Sequence, residues 1–560
     1  MRTAPFLFYQ GTQRRLWRFH GGIHVPDEKA LSNQRPVEAA PLPRELVLPL
    51  QQHIGGMARP CVQVGDRVLA GQRIAEPSGY ISAPIHASSS GTVVAIEVRP
   101  VPHPSGLAAP CIVIETDGED AWVERLPPLI DYRHSDPAVV LERIRACGIV
   151  GLGGASFPTG VKLNPGPDQP ITTLIINAVE CEPYITCDDL LMRTRADTVI
   201  EGVRIIQHLL GAEQCLIGVE DNKPEAIAAL RQALADSDLA ATEVVPIPTL
   251  YPSGGERQLI KILTGEEVPS GGIPAQIGVV CQNVSTTAAV AEAVLAGRPL
   301  VSRLITVTGR AVGEPRNLEV RLGTPAHTLI EHCGGYAEEP AKLLCGGPMM
   351  GFALESDRVP MTKAANCLLA LAPAEVSDPA PPLACIRCGR CAEVCPANLL
   401  PQQMYWHARA KDLDKVQDYN LFDCIECGCC AHVCPSHIPL VQYYRFAKTA
   451  SWTRDKEKHE AERARARYAA RQARHERQEA ERKAKLRQKA EAVADKPGDA
   501  GQGADKQAAI AAARERAAAK KARAAATGAG SSQRREPDAG PNADPSQSAA
   551  PRVAETLAQD

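Results

Sequence analysis

The chain has 560 residues, 44% of them hydrophobic, with 62 basic and 65 acidic side chains and a formal net charge of -3. Because a single hydrophobic core rarely grows past about 250 to 300 residues, this length predicts several domains. The near balance of charge argues against a nucleic-acid-binding protein that relies on its overall charge. No apolar run reaches the ~18 residues that a membrane helix needs, and the start of the chain lacks the apolar core of a secretory signal. We therefore expect a cytosolic chain, soluble by itself, whose 19 cysteines are metal ligands or buried thiols and not disulfides.

Short β-rich runs make up residues 61–98, where "VGD", "AGQ", "PSG" and "SSSG" interrupt them as turns. The pattern is typical of a small all-β unit and resembles the lipoyl and biotinyl carrier fold. Carriers of that kind are modified on a lysine at a hairpin tip, but this stretch contains no lysine. We interpret it as a fold used for packing or docking, with a generic β sandwich as the alternative.

Apolar strand-like runs alternate with helical stretches from about residue 137 to residue 300, which predicts an α/β layer with a mainly parallel sheet. Residues 304–354 have the pattern of a small α+β module and resemble the soluble ligand-binding β-grasp (SLBB) domain. A proline-rich linker, "ALAPAEVSDPAPPLA", separates this module from a region dense in cysteine.

The composition changes again near Trp452, where Ala, Arg, Lys, Glu and Gln begin to dominate. The first part of this tail favours a charged helix with many i,i+4 pairs, although it has almost no apolar face to bury. Beyond Pro497 the content of Gly, Ser, Asp and Pro favours disorder. We interpret the tail as a solvated spacer.

Two similar motifs, "CIRCGRCAEVCP" and "CIECGCCAHVCP", have the spacing C-x2-C-x2-C-x3-C-P. Bacterial ferredoxins hold [4Fe-4S] clusters with this run, and in two-cluster ferredoxins the fourth cysteine of each run serves the other cluster. We therefore predict two clusters. Their ligand sets are Cys385, Cys388, Cys391 and Cys434 for one, and Cys424, Cys427, Cys430 and Cys395 for the other.

The second motif contains a fifth cysteine, Cys429, in the place that Arg390 takes in the first motif. Because an arginine is not a thiolate ligand, the motif needs no ligand there, and Cys429 is predicted to be a surplus thiol. Zinc is the alternative metal, since four thiolates also make a closed tetrahedral site. Zinc motifs favour separated C-x2-C pairs over a triple run, which favours clusters. The helical pattern between the two motifs predicts a mainly helical ferredoxin module.

A glycine-rich loop, "GLGGASFPTGVKL", occupies residues 151–163. Its glycines let backbone N–H groups approach a phosphate closely, and Lys162 adds a positive charge. A tight structural turn is the alternative for glycine spacing of this kind.

The loop resembles "GRGGAGFPTGLKW" of the flavin subunit of respiratory complex I, and three further stretches follow in the same order. "NAVECEP" resembles "NADEGEP", "YPSGGERQL" resembles "YICGEETAL", and "QNVST" resembles "NNVET". The resemblance implies a site for FMN and NADH. Two departures bear on it, because Leu152 replaces an arginine and Val179 replaces an aspartate, so that a flavin contact is lost or supplied elsewhere.

The same resemblance implies roles for individual residues. Glu180 and Glu182 are expected to be catalytic residues that shape the flavin and nicotinamide pocket, with ordinary solvated acids as the alternative. A nicotinamide gives up two electrons as a hydride whereas each cluster takes one, and a flavin between them resolves the mismatch. The residues implied to bind FMN are Gly151, Gly153, Gly154, Lys162, Asn177, Glu256 and Asn283.

Together with "GGIHVPDEK" near the start, these segments resemble one family over about residues 15–450, RnfC or RsxC, a peripheral component of the ion-translocating ferredoxin:NAD oxidoreductase (Rnf) electron transport complex. The expected fold class is multidomain, α/β and α+β. Its parts are an N-terminal arm (1–20), a lipoyl-like or barrel-sandwich-like β unit (21–125), an α/β domain like the complex I flavin subunit that binds FMN and NADH (130–300), an SLBB β-grasp module (301–370), a helical two-[4Fe-4S] ferredoxin module (375–450) and a charged, Ala-rich tail, largely disordered (451–560).

The resemblance implies an enzyme, an NADH/ferredoxin oxidoreductase subunit of an ion-translocating complex (a translocase). Its cofactors would be two [4Fe-4S] clusters, FMN and NAD(H). Its partners would be the other subunits of the membrane Rnf complex and, through the complex, a ferredoxin-type electron carrier, with no nucleic acid. Such a chain would be peripheral to the inner membrane on the cytoplasmic side.

Two other functions are considered. A cobalamin reductase of the microcompartment type has a similar domain set, but the large charged tail and the absence of an encapsulation-like amphipathic N-terminus argue against it. A flavin-less adaptor that conducts electrons between two redox proteins is favoured by Leu152 and Val179.

Overall fold

The structure, a computed structural model, describes residues 6–8, 14–166, 168–239, 241–376, 381–494 and 503–527. The chain divides into two compact units, Met1–Glu457 and Lys458–Asp560. Among the described residues, no helix combines the length and the apolar character that crossing a bilayer requires.

The N-terminal segment belongs to the packing of the first unit. Strands β1 (Phe6–Phe8) and β2 (Arg15–Trp17) pair antiparallel. Leu16 of β2 is fully buried in a core cluster with Ile175 and Leu216, which belong to the α/β domain. The short strand β3 (Glu38–Ala39) follows. The sequence predicts a boundary at residue 20 between an N-terminal arm and the next domain. The arm nevertheless packs into the core of the α/β domain through Leu16.

Two small sheets form the barrel-like unit. Its strands are β4 (Glu45–Pro49), β5 (Arg59–Pro60), β6 (Arg67–Val68), β7 (Arg73–Glu76), β8 (Ile85–His86), β9 (Gly91–Pro100) and β10 (Ala108–Thr116). One sheet has the order β4-β10-β9-β6 and the other β5-β7-β8. Ile112 and Ile114 alternate along β10 with residues of the opposite face and lie in the same core cluster as Ile176, so one continuous core joins this unit to the α/β domain.

The α/β domain has the predicted parallel sheet, with the order β13-β12-β11-β14. Its strands are β11 (Thr173–Ala178), β12 (Gln214–Glu220), β13 (Thr242–Ile247) and β14 (Val279–Asn283). Its helices are α1 (Pro137–Ala146), α2 (Thr159–Lys162), α3 (Cys187–Thr194), α4 (Ala196–Leu210), α5 (Pro224–Ala235), α6 (Glu256–Thr264) and α7 (Val284–Leu295). In α4, Val199, Val203 and Ile206 recur at helical spacing on the buried face, and Gly211 ends the helix in the left-handed conformation that glycine favours.

The SLBB module follows as α8 (Ala326–His332) and a sheet of six strands. The new strands are β15 (Ser302–Thr308), β16 (Arg316–Arg321), β17 (Lys342–Cys345), β18 (Phe352–Ala353) and β19 (Cys367–Leu371). The sheet order is β18-β17-β19-β15-β16-β3, so the early strand β3 completes this later module.

The ferredoxin module is mainly helical, as predicted. Its helices are α9 (Arg390–Glu393), α10 (Pro401–Arg409), α11 (Leu413–Asp418), α12 (Cys429–His432) and the beginning of α13 (Leu440–Ala494). Met404, Tyr444 and Ala447 are buried at its centre.

The tail differs in part from its predicted disorder. The later part of α13 agrees with the charged helix expected there, and α14 (Gly503–Thr527) is a second helix. Alanine is the strongest helix former, and the Ala-rich composition of α14 outweighs the breakers that favour disorder beyond Pro497. The remaining residues of the predicted disordered tail lie outside the described residues.

Candidate functional site

The carboxyl ends of β11 and β14, two neighbouring parallel strands, lie where the strand order reverses, and we call the space beyond these two strand ends the crevice. In open α/β sheets such a switch point is where ligands bind. Asn177 lies one residue before the end of β11, and Asn283 is the last residue of β14. The glycine-rich loop reaches this point, because a Cβ added to Gly153 would lie 3.2 Å from Cβ of Asn283. The structure therefore brings Gly153 and Asn283 together, and their role in binding FMN stays a prediction.

The glycine-rich loop presents free donors. Its first half is fixed by two 2.8 Å hydrogen bonds, from the N–H of Gly151 to the carbonyl of Phe157 and from the N–H of Leu152 to Oγ1 of Thr286. Gly153 and Gly154 are exposed, and their N–H groups donate to no other described residue. Gly154 has a φ of 108°, which other residues rarely adopt. Free N–H groups at such a loop fit the phosphate of FMN.

Lys162 and Glu256, two further residues predicted to bind FMN, form an ion pair with each other. Nζ of Lys162, at the end of α2, lies 2.5 Å from Oε1 of Glu256, the first residue of α6. Nδ2 of Asn177 donates to the carbonyl of Gly254, just before α6, at 2.8 Å. These contacts position the start of α6 beside the crevice.

Glu180 organises the start of α3. It has a φ of 49°, and its carboxylate accepts hydrogen bonds from the N–H groups of Asp188 (2.7 Å) and Asp189 (3.2 Å). Asp188 in turn accepts from Nδ2 of Asn283 at 2.8 Å, so Glu180 and Asn283 are linked through one carboxylate. Burial raises the pKa of Glu180 to about 8, although the charge of Lys29 opposes the shift.

Lys29 is one of the residues that sequence reasoning missed. Its Nζ donates to the carbonyls of Glu180 (2.9 Å), Glu182 (3.1 Å) and Ile185 (2.6 Å), and the side chain is buried. Burial and the neighbouring Lys223 lower the pKa of Lys29. It lies in "GGIHVPDEK", which contributes to the family resemblance, but nothing in that pattern says which loop the lysine meets.

Glu182 lies at a junction of three parts of the unit. Its Oε1 accepts from the N–H of Met349 (2.6 Å) and of Met350 (2.9 Å), in the loop after β17 of the SLBB module. Burial raises the pKa of Glu182, and the hydrogen bonds from these N–H groups oppose the rise. Glu182 thus connects the loop after β11 to the SLBB module, and its role at a nicotinamide remains a prediction.

The two departures from the flavin-subunit pattern are core residues. Leu152 is 4% exposed and Val179 is fully buried, each within a hydrophobic cluster. The buried guanidinium of Arg303 donates to the carbonyl of Leu152 at 3.0 Å. A positive charge therefore lies behind the glycine-rich loop even though residue 152 is apolar.

Two cavities contain the eight predicted cluster ligands. The outer cavity is lined by Cys385, Cys388, Cys391 and Cys434, and the inner cavity by Cys395, Cys424, Cys427 and Cys430. Each cavity thus takes its fourth cysteine from the other motif, in the sets that the ferredoxin pattern predicts. Four converging thiols in a mainly apolar cavity fit a [4Fe-4S] cluster.

The thiols also show how cluster binding depends on protons. Burial raises the pKa of Cys424 to about 11, so its proton must leave when a metal binds.

The surplus cysteine, Cys429, lies beside a predicted ligand. A hydrogen bond from the thiol of Cys429 lowers the pKa of Cys427. Cys429 is fully buried, lines neither cavity, and packs with Ile23 and Tyr251. The fifth cysteine is therefore a neighbour of a predicted ligand.

The inner cavity is attached to the crevice and to the N-terminal segment. The hydroxyl of Tyr251 donates to the carbonyl of Cys427 at 2.8 Å. Nδ1 of His20 lies 2.8 Å from the carbonyl of Cys395, and the N–H of Gly22 donates to Val394 at 3.0 Å. Residues 20–32, which we name the strap, thus run from the inner cavity to the loop that Lys29 holds.

Four family models match the chain in the predicted order. They are the RnfC barrel sandwich hybrid domain (residues 17–119), the Nuo51 FMN-binding domain (144–292), the SLBB domain (304–353) and the 4Fe-4S dicluster domain (384–438). The predicted architecture, with its FMN-binding domain and its two-cluster [4Fe-4S] module, is confirmed by these matches.

Relatives that match most of the chain decide its family. A protein of Yersinia pestis bv. Antiqua, named as the C component of an ion-translocating oxidoreductase complex, is 50% identical over 468 residues, which are 84% of this chain and 75% of the relative. The chain belongs to the RnfC family. Proteins of the same name from Pseudomonas aeruginosa and Vibrio cholerae serotype O1 are 52% and 50% identical over 82% and 85% of the chain. The chain spans 59% and 61% of the length of these two RnfC relatives.

A solved NAD+-reducing [NiFe]-hydrogenase in the air-oxidized state has 19% sequence identity to this member of the RnfC family, covering 53% of it and 60% of the hydrogenase chain. Its TM-score of 0.39 is too low to establish a shared fold.

In this RnfC family member, the residues missed by sequence reasoning share one property. Lys29, His20 and Tyr251 act through backbone carbonyls of residues far away in the chain. Backbone acceptors leave no mark in a sequence motif. Two segments gave a signal, "YPSGGERQL" around Tyr251 as part of the flavin-subunit resemblance and "GGIHVPDEK" with Lys29 as part of the family resemblance.

Proposed function

We propose that the chain exchanges electrons between NAD(H) and one-electron carriers as a subunit of an ion-translocating oxidoreductase complex. The single observation that carries the proposal is the attachment of the inner four-cysteine cavity to the crevice, through the hydrogen bond from Tyr251 to Cys427. A two-electron site and a one-electron site in such contact suit the conversion of a hydride into single electrons.

The residues of the crevice have distinct tasks in this proposal. The N–H groups of Gly153 and Gly154 bind the phosphate of FMN, and the Asn283 and Asp188 pair fixes the wall beside them. When bound, FMN supplies the capacity to take two electrons together and release them singly. Lys29 holds the loop that carries Glu180 and Glu182, which line the approach to the nicotinamide.

The cysteines hold the clusters. The outer set comprises Cys385, Cys388, Cys391 and Cys434, and the inner set Cys395, Cys424, Cys427 and Cys430. The other subunits of the complex and a ferredoxin-type carrier are the proposed partners. The chain is proposed to attach to them at the cytoplasmic side of the inner membrane.

The test is reconstitution of the purified full chain with iron, sulfide and FMN. We expect retained flavin, two [4Fe-4S] signals by electron paramagnetic resonance, and bleaching of both chromophores on addition of NADH. Clusters without flavin and without NADH-dependent bleaching would establish the adaptor function that Leu152 and Val179 favour. NADH-dependent reduction of cobalamin at a rate above that of a one-electron carrier would establish a cobalamin reductase.

A further inference from the structure

The two cysteine motifs are near repeats in sequence, but their surroundings differ. Each motif has an isoleucine after its first cysteine and a glycine after its second, so position 386 corresponds to 425 and position 389 to 428. Both copies also share a left-handed residue before the second cysteine, Arg387 with φ 59° and Glu426 with φ 58°. The local backbone is therefore the same, and differences of exposure reflect what covers each copy.

The inner copy is covered by the rest of the unit. Ile425 packs in the apolar cluster with Tyr251. A Cβ added to Gly428 would lie 3.2 Å from the carbonyl of Met349. The residue after Gly428 is Cys429, which is fully buried. This face of the inner copy is therefore a docking surface, already occupied by the α/β domain and the SLBB module.

The same face of the outer copy is open. Ile386 is 68% exposed, and a Cβ added to Gly389 would meet nothing within 4 Å. Cys388, a lining residue of the outer cavity, is exposed, whereas its counterpart Cys427 is 7% exposed. The outer cavity is thus the one that a second protein can approach.

Charge distinguishes the outer face from the inner one. Glu426 of the inner copy is bound by Arg445 and Lys448, both at 2.8 Å. Its counterpart Arg387 is exposed, and so is Arg390, which replaces the buried Cys429. Within the described chain neither arginine forms an ion pair, and α9 offers one acid, Glu393. Two unpaired cations beside an exposed apolar side chain suit an acidic surface with an apolar centre.

We propose that the outer face, defined as Ile386, Arg387, Gly389 and Arg390, is the docking surface for a one-electron carrier protein with an acidic surface around its redox centre. The inference rests on the proposed function, because it takes the outer cavity to hold a [4Fe-4S] cluster. The internal repeat supports it, since the equivalent inner face already docks the domain with which electrons are exchanged. Each NADH oxidised yields NAD+, one proton and two electrons, and two carrier molecules take one electron each.

The experiment uses the reconstituted full chain, NADH, and an acidic flavodoxin as the probe. The second-order rate of flavodoxin reduction is expressed relative to the rate with a small neutral quinone in the same preparation. Arg387→Glu with Arg390→Glu should lower the relative rate by about tenfold at low salt, and the loss should shrink as salt screens the charges. Ile386→Ser should lower the rate at every salt concentration.

The matched control reverses the charge of two exposed lysines of the same module, in Lys411→Glu with Lys415→Glu. Lys411 lies just before α11, and Lys415 lies within it. It makes the same change of net charge and should leave the relative rate unchanged. Equal losses in the two double variants would overturn the proposal, because net charge alone would explain them. Binding to anionic phospholipid vesicles that is lost with Arg387 and Arg390, at an unchanged flavodoxin rate, would assign the face to a membrane and overturn it as well.

The outcomes separate this inference from the function on which it rests. Absence of iron, or of NADH-dependent quinone reduction, in the parent protein contradicts the proposed function. A parent protein that reduces quinone, with flavodoxin rates indifferent to all substitutions of the outer face, contradicts only the docking surface.

Discussion

The hydroxyl of Tyr251 donates a 2.8 Å hydrogen bond to the backbone carbonyl of Cys427, at a site where both side chains are buried. This bond joins a loop of the α/β domain to the middle of the inner cysteine motif. The carbonyl of Gly254 in the same loop accepts a hydrogen bond from Asn177 of β11, so this loop connects the crevice to the inner cavity.

Removing this hydroxyl should loosen the attachment without removing a ligand. In Tyr251→Phe the carbonyl of Cys427 loses its partner, which should cost about 1–2 kcal/mol of stability. We expect a lower midpoint of thermal unfolding with the same iron content. The control is Tyr443→Phe, because the half-buried Tyr443 hydroxyl forms no hydrogen bond within the described chain. A midpoint that falls equally in both variants would contradict a special role for the Tyr251 bond.

Lys29 should be required for tight binding of FMN. Lys29→Met removes a donor from the three carbonyls of Glu180, Glu182 and Ile185, and the loop that they form borders the crevice. Without these hydrogen bonds the loop must be ordered when FMN binds. If this ordering weakens the binding free energy by about 1.4 kcal/mol, the dissociation constant of FMN rises tenfold. Titrating the apoprotein with FMN and following the flavin fluorescence measures this dissociation constant. The exposed Lys342→Met serves as the control, and an unchanged constant for Lys29→Met would refute the prediction.

Stability should depend on pH through Glu180. Burial raises its pKa to about 8 from an ordinary value of 4.5, so the folded chain retains a proton that the unfolded chain releases. The stability contributed by this group is present in full below pH 4.5 and is lost as the pH rises through about 8. Glu180→Gln stays neutral and should show a smaller fall of the unfolding midpoint between about pH 6 and about pH 9. An equal fall in the variant and the parent would assign the pH dependence to other groups, and the exposed Glu339→Gln should match the parent.

The surplus cysteine should be dispensable for cluster assembly. Cys429→Ser keeps all four lining thiols of the inner cavity, whereas Cys430→Ser replaces one of them with a hard hydroxyl donor. The iron content should stay at about eight atoms per chain in the first variant and fall to about four in the second. Because the Cys429 thiol also bonds to Cys427, the reduction potential of the inner cluster should move in Cys429→Ser. Equal loss of iron in both variants would show that Cys429 serves as a ligand.

The sequence predicts the parts of this protein whose determinants are local. The parallel sheet follows from buried strands alternating with helices, and the two sets of lining cysteines follow from spacing within each motif. Contacts between distant segments are not predicted in this way. Leu16 and the strand β3 complete domains that lie far along the chain, and neither periodicity nor composition says which partner they meet.

The candidate site shows the same limit. Gly153 and Asn283, both implied by the flavin-subunit resemblance, come together because the glycine-rich loop reaches the carboxyl end of β14. The role of Glu182 at the nicotinamide stays a prediction, and nothing in the sequence indicated that its carboxylate accepts hydrogen bonds from Met349 and Met350 of another module. The sequence places a side chain on a loop, and the packing of whole domains decides which way that loop faces.

The strap can complete its contacts only after the ferredoxin module has been synthesised. His20 meets the carbonyl of Cys395, 375 residues later in the chain. Translation proceeds from the N-terminus, so the strap leaves the ribosome long before Cys395 is synthesised. Contacts of such long range also form slowly. The contact of His20 with Cys395 therefore forms late, whereas the loop after β11 that Lys29 binds is synthesised much earlier, so the two ends of the strap are fixed at different stages of synthesis.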